Sequence, residues 1–358
     1  MEMLIKHYLL ILALLLLASA SAQEYHWEVG LDYFFDNTEY KKSTYIDSES
    51  MNGVWLNPMG SILWNNEHSV NAGVNLLKIP GTDKMIDKAK TIIFYQYSTP
   101  SILFRAGSFP KDNLLSHYNN FFFKDSISNF MPQMEGVYFR MGNSENFFNA
   151  WFDRTGYATA NSREHFFVGM SGKASKGILF ADFQTYMFHL ANTKPATPGE
   201  GVSDNLLLQA TLGIEYNDGE GLKGLLAAGT LLGYERDRRF ENELYKPAGF
   251  VVRAEAELWG IGTKNLFYIG DPRMRLANTF GGELYWGTQF LQSKSYLKNE
   301  WYIRFIESDH VKVKFNCNFH LNQGHVMMQQ ALTVSATIDN YSNKKSNKIV
   351  YPWINIFK

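Results

Sequence analysis

A two-residue alternation of apolar and polar side chains, sustained over runs of about ten residues, constrains this chain more than any other feature. The clearest run is His310 to His320. Val311, Val313, Phe315, Cys317 and Phe319 fall on one face, and Lys312, Lys314, Asn316, Asn318 and His320 on the other. A helix would scatter both sets around its circumference, whereas a strand separates them. Trp27, Val29, Leu31 and Tyr33 alternate in the same way with His26, Glu28, Gly30 and Asp32. So do Val252 to Leu258 with Arg253, Glu255 and Glu257, and the runs near 208–216 and 328–338. Strands of this length and pattern suit a closed wall with lipid outside and a polar interior.

The connections alternate too. Tight-turn residues fall at 65–68, 98–101, 142–145, 172–175, 217–220, 260–263 and 307–310. They are rich in Gly, Asn and Asp, which tolerate positive φ. Longer polar stretches separate them at 38–51, 80–88, 107–135, 192–205, 236–248 and 270–296. Short turns at one end and long loops at the other predict an all-β, closed antiparallel transmembrane β-barrel. The count is about sixteen strands, with fourteen and eighteen as the alternatives. The segment 279–290 reads as part of a loop, with strand as its alternative.

Composition agrees with a lipid-facing surface. The chain is 15% aromatic and only 19% charged, against about 25% charged in ordinary soluble domains. A mean hydropathy of −0.25 argues against a helical membrane bundle. The formal net charge of −1 offers no basic field for nucleic acid. The single cysteine, Cys317, excludes an intrachain disulfide.

The first residues read as an export signal: Lys6 and His7, then apolar Tyr8 to Leu17, then small residues to Ala22. The expected organisation is a signal peptide over 1–22, a barrel over 23–339, and a tail or extra strand over 340–358. Pro352 interrupts the tail as a strand. The expected location is the outer membrane.

Energetics fix the register. A Lys or Arg at mid-bilayer costs about 2–4 kcal/mol. Inverting the 310–320 strand would place both Lys312 and Lys314 in hydrocarbon, at a cost on the order of 4–8 kcal/mol. The polar set therefore faces the lumen.

Taken together, the leader, alternating strands, short turns and long loops resemble Gram-negative outer-membrane porins. Phe104-Arg105-Ala106-Gly107-Ser108-Phe109-Pro110, then a long loop and Glu135-Gly136-Val137-Tyr138-Phe139, resembles the phosphate-selective porin group. The resemblance implies a loop folded inward. The lysine ladder of that group is not recognisable, so phosphate selectivity does not carry over.

By alternation the lumen would be lined by Glu28, Asp32, Arg105, Arg140, Asp153, Arg253, Glu255, Glu257, Lys298, Glu300, Arg304, Lys312 and Lys314. Seven are basic and six acidic. Rings of charge select ions, but cross-strand pairing is the structural alternative. The 107–135 loop carries Lys111, Asp112, Phe121, Phe122, Phe123, Lys124 and Asp125 as constriction candidates. Three consecutive phenylalanines disfavour an open position in water. The loop therefore either plugs the barrel or packs as an outer flap. Deleting 113–130 and measuring conductance separates the two.

No histidine spacing matches a metal site, and neither a metal nor any other cofactor is expected. Gly169-Met170-Ser171-Gly172-Lys173 fits neither a nucleotide loop nor a nucleophile elbow. The leading expectation is a porin-like channel for small solutes, and not an enzyme. A closed structural or surface-interaction barrel is the first alternative. An enzyme with a Ser/His or Asp/His site on the lipid-facing wall or rim is the second. The expected partners are outer-membrane lipid, small solutes and the barrel assembly machinery, with a homo-oligomer left open.

Overall fold

The computed structural model describes residues 23–111, 117–239, 244–342 and 351. The expected signal peptide, Asp112 and all of the tail beyond residue 342 except Tyr351 lie outside the described residues.

Sixteen strands close into one antiparallel barrel. They are β1 (Gln23–Glu39), β2 (Ser50–Trp64), β3 (His68–Lys78), β4 (Lys88–Ser98), β5 (Ile102–Pro110), β6 (Gln133–Gly142), β7 (Phe147–Gly156) and β8 (His165–Lys176). The second half is β9 (Leu179–Leu190), β10 (Ser203–Asn217), β11 (Leu222–Asp237), β12 (Ala248–Leu258), β13 (Ile261–Gly270), β14 (Ser295–Glu307), β15 (Val311–Asn322) and β16 (His325–Asp339). Every strand pairs with its neighbours in sequence, and β1 closes the wall against β16, from Glu28 opposite Asp339 to Glu39 opposite Met328. Closure leaves no unpaired edge, and Asn340 continues the seam past β16, its amide donating to the Trp27 carbonyl at 3.3 Å and its Oδ1 accepting from the Trp27 amide at 2.8 Å.

Two short helices, α1 (Asp125–Phe130) and α2 (Ala277–Leu284), lie in the β5–β6 and β13–β14 connections. The segment 279–290 is thus a loop with helical turns, not a strand.

The turns hold with two shifts and one exception. Asn65 and Asn66 both take positive φ, 54° and 58°, in the β2–β3 hairpin, as a type I′ turn requires. Residues 172–175, expected as a turn, continue β8; the reversal comes at Gly177, φ 62°. Gly172 is glycine for a different reason: a Cβ there would meet the Phe183 ring at 2.7 Å. The β12–β13 turn sits at Trp259-Gly260, just before the expected 260–263. At the long-loop end, β15 and β16 are joined by Gln323-Gly324 alone.

The wall is apolar outside. Trp27, Leu31, Leu212, Leu226, Phe250 and Trp301 are among its exposed side chains. The core is inside the barrel, towards the long-loop end. There Phe94, Phe109, Trp151, Phe167, Phe188, Leu207, Leu231, Val251 and Tyr296 are buried with the loop residues Phe121, Phe122, Phe123, Tyr285 and Trp286.

Candidate functional site

The β5–β6 connection enters the lumen. Its ends are tied by the Lys111 amide donating to the Pro132 carbonyl at 2.8 Å, so the insertion is closed like an Ω-loop. Phe121 and Phe122 are fully buried. Phe122 meets Tyr186 edge-on at 5.4 Å, and Phe123 lies 5.6 Å from Trp286. The loop reaches walls on all sides. Trp55 Nε1 of β2 donates to the Asn129 carbonyl at 2.7 Å. The Asn119 amide donates to Gln184 Oε1 of β9 at 3.0 Å, and Asn119 Nδ2 to Gln209 Oε1 of β10 at 2.9 Å. About a quarter turn further round the wall, Lys298 Nζ of β14 donates to Asn120 Oδ1 at 2.7 Å.

A second loop completes this plug. The Lys124 amide donates to the Trp286 carbonyl at 2.7 Å, and the Thr288 amide to the Asn120 carbonyl at 3.0 Å. Trp286 stacks on Phe167 at 3.6 Å. Buried Glu235 of β11 anchors the same loop, accepting from the Met274 and Arg275 amides at 2.6 and 3.0 Å. Gly287 is required by close approach, since a Cβ would fall 1.9 Å from the Phe121 carbonyl oxygen. Sequence reasoning missed Trp286, Tyr285 and Glu235; the Tyr-Trp-Gly run inside an expected loop was their signal.

Lys111 lies buried at the mouth of the insertion. Its ammonium is 2.8 Å from Asp153 and 4.2 Å from the centre of the Trp286 ring. Burial lowers its pKa, and Asp153 offsets part of that shift. His117 is pushed down to about 4 by burial and by Arg140. Burial raises the Asp125 carboxyl, but the Lys298 ammonium and the Asn120 hydrogen bond outweigh it and hold the group at about 2.

Below the plug, the expected lumenal charges meet one another. Arg253 lies 2.5 Å from Asp182 and 3.8 Å from Glu255, which also meets Lys264 at 3.7 Å. Lys298 is 3.4 Å from Asp125 and 3.5 Å from Glu300, and Lys314 is 3.0 Å from Glu300. Glu257 meets Arg304 at 2.8 Å, Lys223 at 3.4 Å and the Tyr302 hydroxyl at 2.6 Å. Arg105 donates to Gln96 at 2.8 Å, and Arg140 lies 5.9 Å from the centre of the Phe147 ring. Asp32 accepts from Asn57 at 2.8 Å, and Glu28 accepts from the Tyr341 hydroxyl. Lys312 lines a cavity of about 470 Å³ with Glu28 and Asp32. A second cavity, of about 330 Å³, lies among Arg253, Lys264, Lys298 and Lys314.

The outer wall carries a different arrangement near the long loops. Strand register sets Arg154 of β7 opposite Phe166 of β8, and Phe166 opposite His189 of β9. His189 in turn faces Asp204 of β10, and Asp204 faces Arg236 of β11. Their inward neighbours Asp153, Phe167, Phe188, Leu190, Ser203, Asn205, Glu235 and Asp237 are all buried. Alternation therefore points this row of five outwards. Asp204 Oδ1 accepts from His189 Nδ1 at 2.8 Å, and Asp204 Oδ2 lies 3.3 Å from both Arg236 and Arg238. His189 is 25% and Asp204 24% exposed, so the pair is reachable without being fully hydrated. Phe166 stacks on the imidazole at 4.9 Å. With Nδ1 donating to the carboxylate, a neutral His189 presents an unprotonated Nε2. Among the described residues, no three His, Cys, Asp or Glu side chains assemble as a metal site.

Fold and surface define the class: an outer-membrane β-barrel, porin-like in architecture. Three solved barrels illustrate the likeness. OpdL of Pseudomonas aeruginosa superposes with TM-score 0.53 at 10% identity, over 89% of this chain and 99% of that one. The anion-selective porin from Comamonas acidovorans gives 0.52 at 12%, over 88% and 100%. A loop-deletion mutant of OmpT, an outer membrane protein of Vibrio cholerae, gives 0.51 at 11%, over 89% and 100%. These identities speak for the fold alone. No curated protein sequence matches the chain. The family is set by a sequence model described as lipid A 3'-O-deacylase-type, which matches residues 17–342. The chain belongs to that family. This overturns the expectation that it is not an enzyme, because the family is enzymatic. Alternation and charge report on a wall and its register, and they carry no information about bond cleavage.

Proposed function

We propose that this barrel is an outer-membrane ester hydrolase working on its lipid-facing wall, removing an acyl chain from an acylated glycolipid of the lipid A type. The observation that carries the reading is the outward His189–Asp204 pair, 2.8 Å apart at the end where the long loops lie. Family membership supplies the reaction class. In this arrangement Asp204 orients the imidazole and stabilises its protonated form, and Nε2 takes a proton from the attacking water. The aromatic plug serves the site from behind: Phe167, Phe188 and Leu190, inward neighbours of the row, are packed in its core. Such backing holds the wall, and hence the pair, in place.

The test is fatty-acid release, followed by mass spectrometry, from lipid A in mixed micelles with the folded barrel. His189→Gln is expected to lower the rate about 10²–10⁴-fold, the usual contribution of a general base. Equal release by both proteins would remove the pair from the reaction.

A second reading, passage of small solutes, is favoured by the polar cavities of about 470 and 330 Å³ along the lumen. It requires the two plug loops to leave their seats.

A further inference from the structure

We infer that Arg236 is a further catalytic residue of this site, holding the negative charge that develops on the ester carbonyl oxygen; the inference rests on the hydrolase reading of His189 and Asp204. Register places the three residues side by side on adjacent strands, with Asp204 between His189 and Arg236. Neighbouring strands lie about 4.8 Å apart, so His189 and Arg236 leave the wall roughly 10 Å from one another. An ester carbonyl lying over Asp204 would reach Nε2 on one side and the guanidinium on the other.

The hydrogen bonding of Arg236 fits the role. A guanidinium has five N–H donors. Arg236 directs Nη2 at Asp204 Oδ2, at a long 3.3 Å, while its Nε is buried with no hydrogen-bond partner. A buried donor without an acceptor is costly, so the side chain gains when it turns to an oxyanion that accepts from it. Arg238 differs. It lies past the end of β11, is 49% exposed against 32% for Arg236, and contacts the same carboxylate oxygen at 3.3 Å. Arg238 thus keeps Asp204 neutralised when Arg236 turns to substrate.

The step balances within the site and its water. Water oxygen bonds to the carbonyl carbon as its proton passes to His189 Nε2, and the carbonyl π pair moves onto oxygen beside Arg236. Collapse of this intermediate breaks the bond to the alcohol oxygen, which takes the proton back from Nε2. The products are a carboxylic acid and an alcohol, and nothing is oxidised or reduced. A guanidinium in a water-poor setting stabilises such a charge far better than one in bulk water.

The experiment compares the folded wild-type barrel with Arg236→Ala, Arg236→Lys and His189→Gln on lipid A micelles. A long-chain alkylphosphonate monoester serves as a stable mimic of the intermediate, and heat-modifiable gel mobility verifies folding. Arg236→Ala is expected to lower kcat by on the order of 10²–10³, as loss of an oxyanion donor does, with KM little changed. Phosphonate inhibition should weaken in parallel, and Arg236→Lys should restore part of both. If Arg236→Ala keeps its plateau rate and only shifts the pH profile, Arg236 acts through Asp204 and the inference is wrong. If that variant keeps full kcat while His189→Gln is inactive, the inference falls and the hydrolase reading stands. If wild type and His189→Gln release no fatty acid alike, the reading itself falls and takes Arg236 with it.

Discussion

Followed from the long loops towards the short turns, β9 changes its inward residues from Leu190, Phe188 and Tyr186 to Gln184 and Asp182. β14 changes likewise, from Tyr296 to Lys298, Glu300 and Arg304. The two halves of the lumen thus share strands but differ in what fills them. Near the long loops, aromatic side chains meet an aromatic plug, and burial of ring surface dominates the contact, with hydrogen bonds such as Trp55 Nε1 to the Asn129 carbonyl at 2.7 Å placing it. Near the short turns, charges line polar cavities and pair across strands, as buried charges must. Plug and charge network touch at Asp125, which the Lys298 ammonium approaches to 3.4 Å. Apolar packing closes the barrel, and the Lys111–Asp153 and Lys298–Asp125 pairs, with the hydrogen bonds of Asn119 and Asn120, give the closure a fixed position.

The largest expected effect comes from removing one side of this contrast. Replacing residues 117–130 by a short Gly-Ser linker takes Phe121, Phe122, Phe123 and α1 out of the lumen. Planar-bilayer recording should then change from near silence to stable steps on the scale of an open barrel. An unchanged trace would mean that the β13–β14 loop seals the lumen by itself.

A smaller change breaks only the link between the halves. Lys298→Met keeps the length of the side chain but leaves Asp125 and Glu300 without their shared ammonium. Removing one member of a buried ion pair costs about 3–5 kcal/mol. Gel mobility after urea titration should report this loss, and the aromatic seal should keep conductance low. A Lys298→Met barrel as stable as wild type would show that Lys314 and Asn120 suffice to hold the two carboxylates.

The barrel itself was largely legible in the sequence, because the two-residue period is a direct image of a wall with lipid on one side. Errors arose where local chemistry imitates a turn. Gly172 to Ser175 look like a reversal, yet Asn149 holds the preceding Ser171 in the strand at 2.7 Å, and Gly172 makes room for Phe183. Phe121 to Phe123 announced a buried loop, whereas its companion showed only the Tyr-Trp-Gly run at 285–287, and pairing between two distant loops leaves no pattern that links them. The outer row was harder still. His189 and Asp204 are separated by a long loop and become neighbours only through hairpin register. The available signal was polar residues on the lipid-facing phase near strand ends.

Acid should loosen the plug in two separate steps, the smallest effect and the one that best divides it. His117 is held at about 4, below its ordinary value of 6.5. A histidine held low adds stability that is complete above 6.5 and disappears as pH falls from there through about 4. Asp125, held at about 2 against an ordinary 3.8, adds stability that is complete above 3.8 and disappears only as pH falls through about 2. The first step belongs to the part of the insertion that packs on Phe147 beside Arg140, the second to its contact with the charged wall. Proteolysis of the inserted loop in the intact barrel should therefore rise between pH 6.5 and 4 in wild type and stay flat over that range in His117→Asn. Asp125→Asn should remove the step below pH 3.8 and leave the first in place. A single transition, unchanged in both variants, would show that neither group governs the seat of the plug.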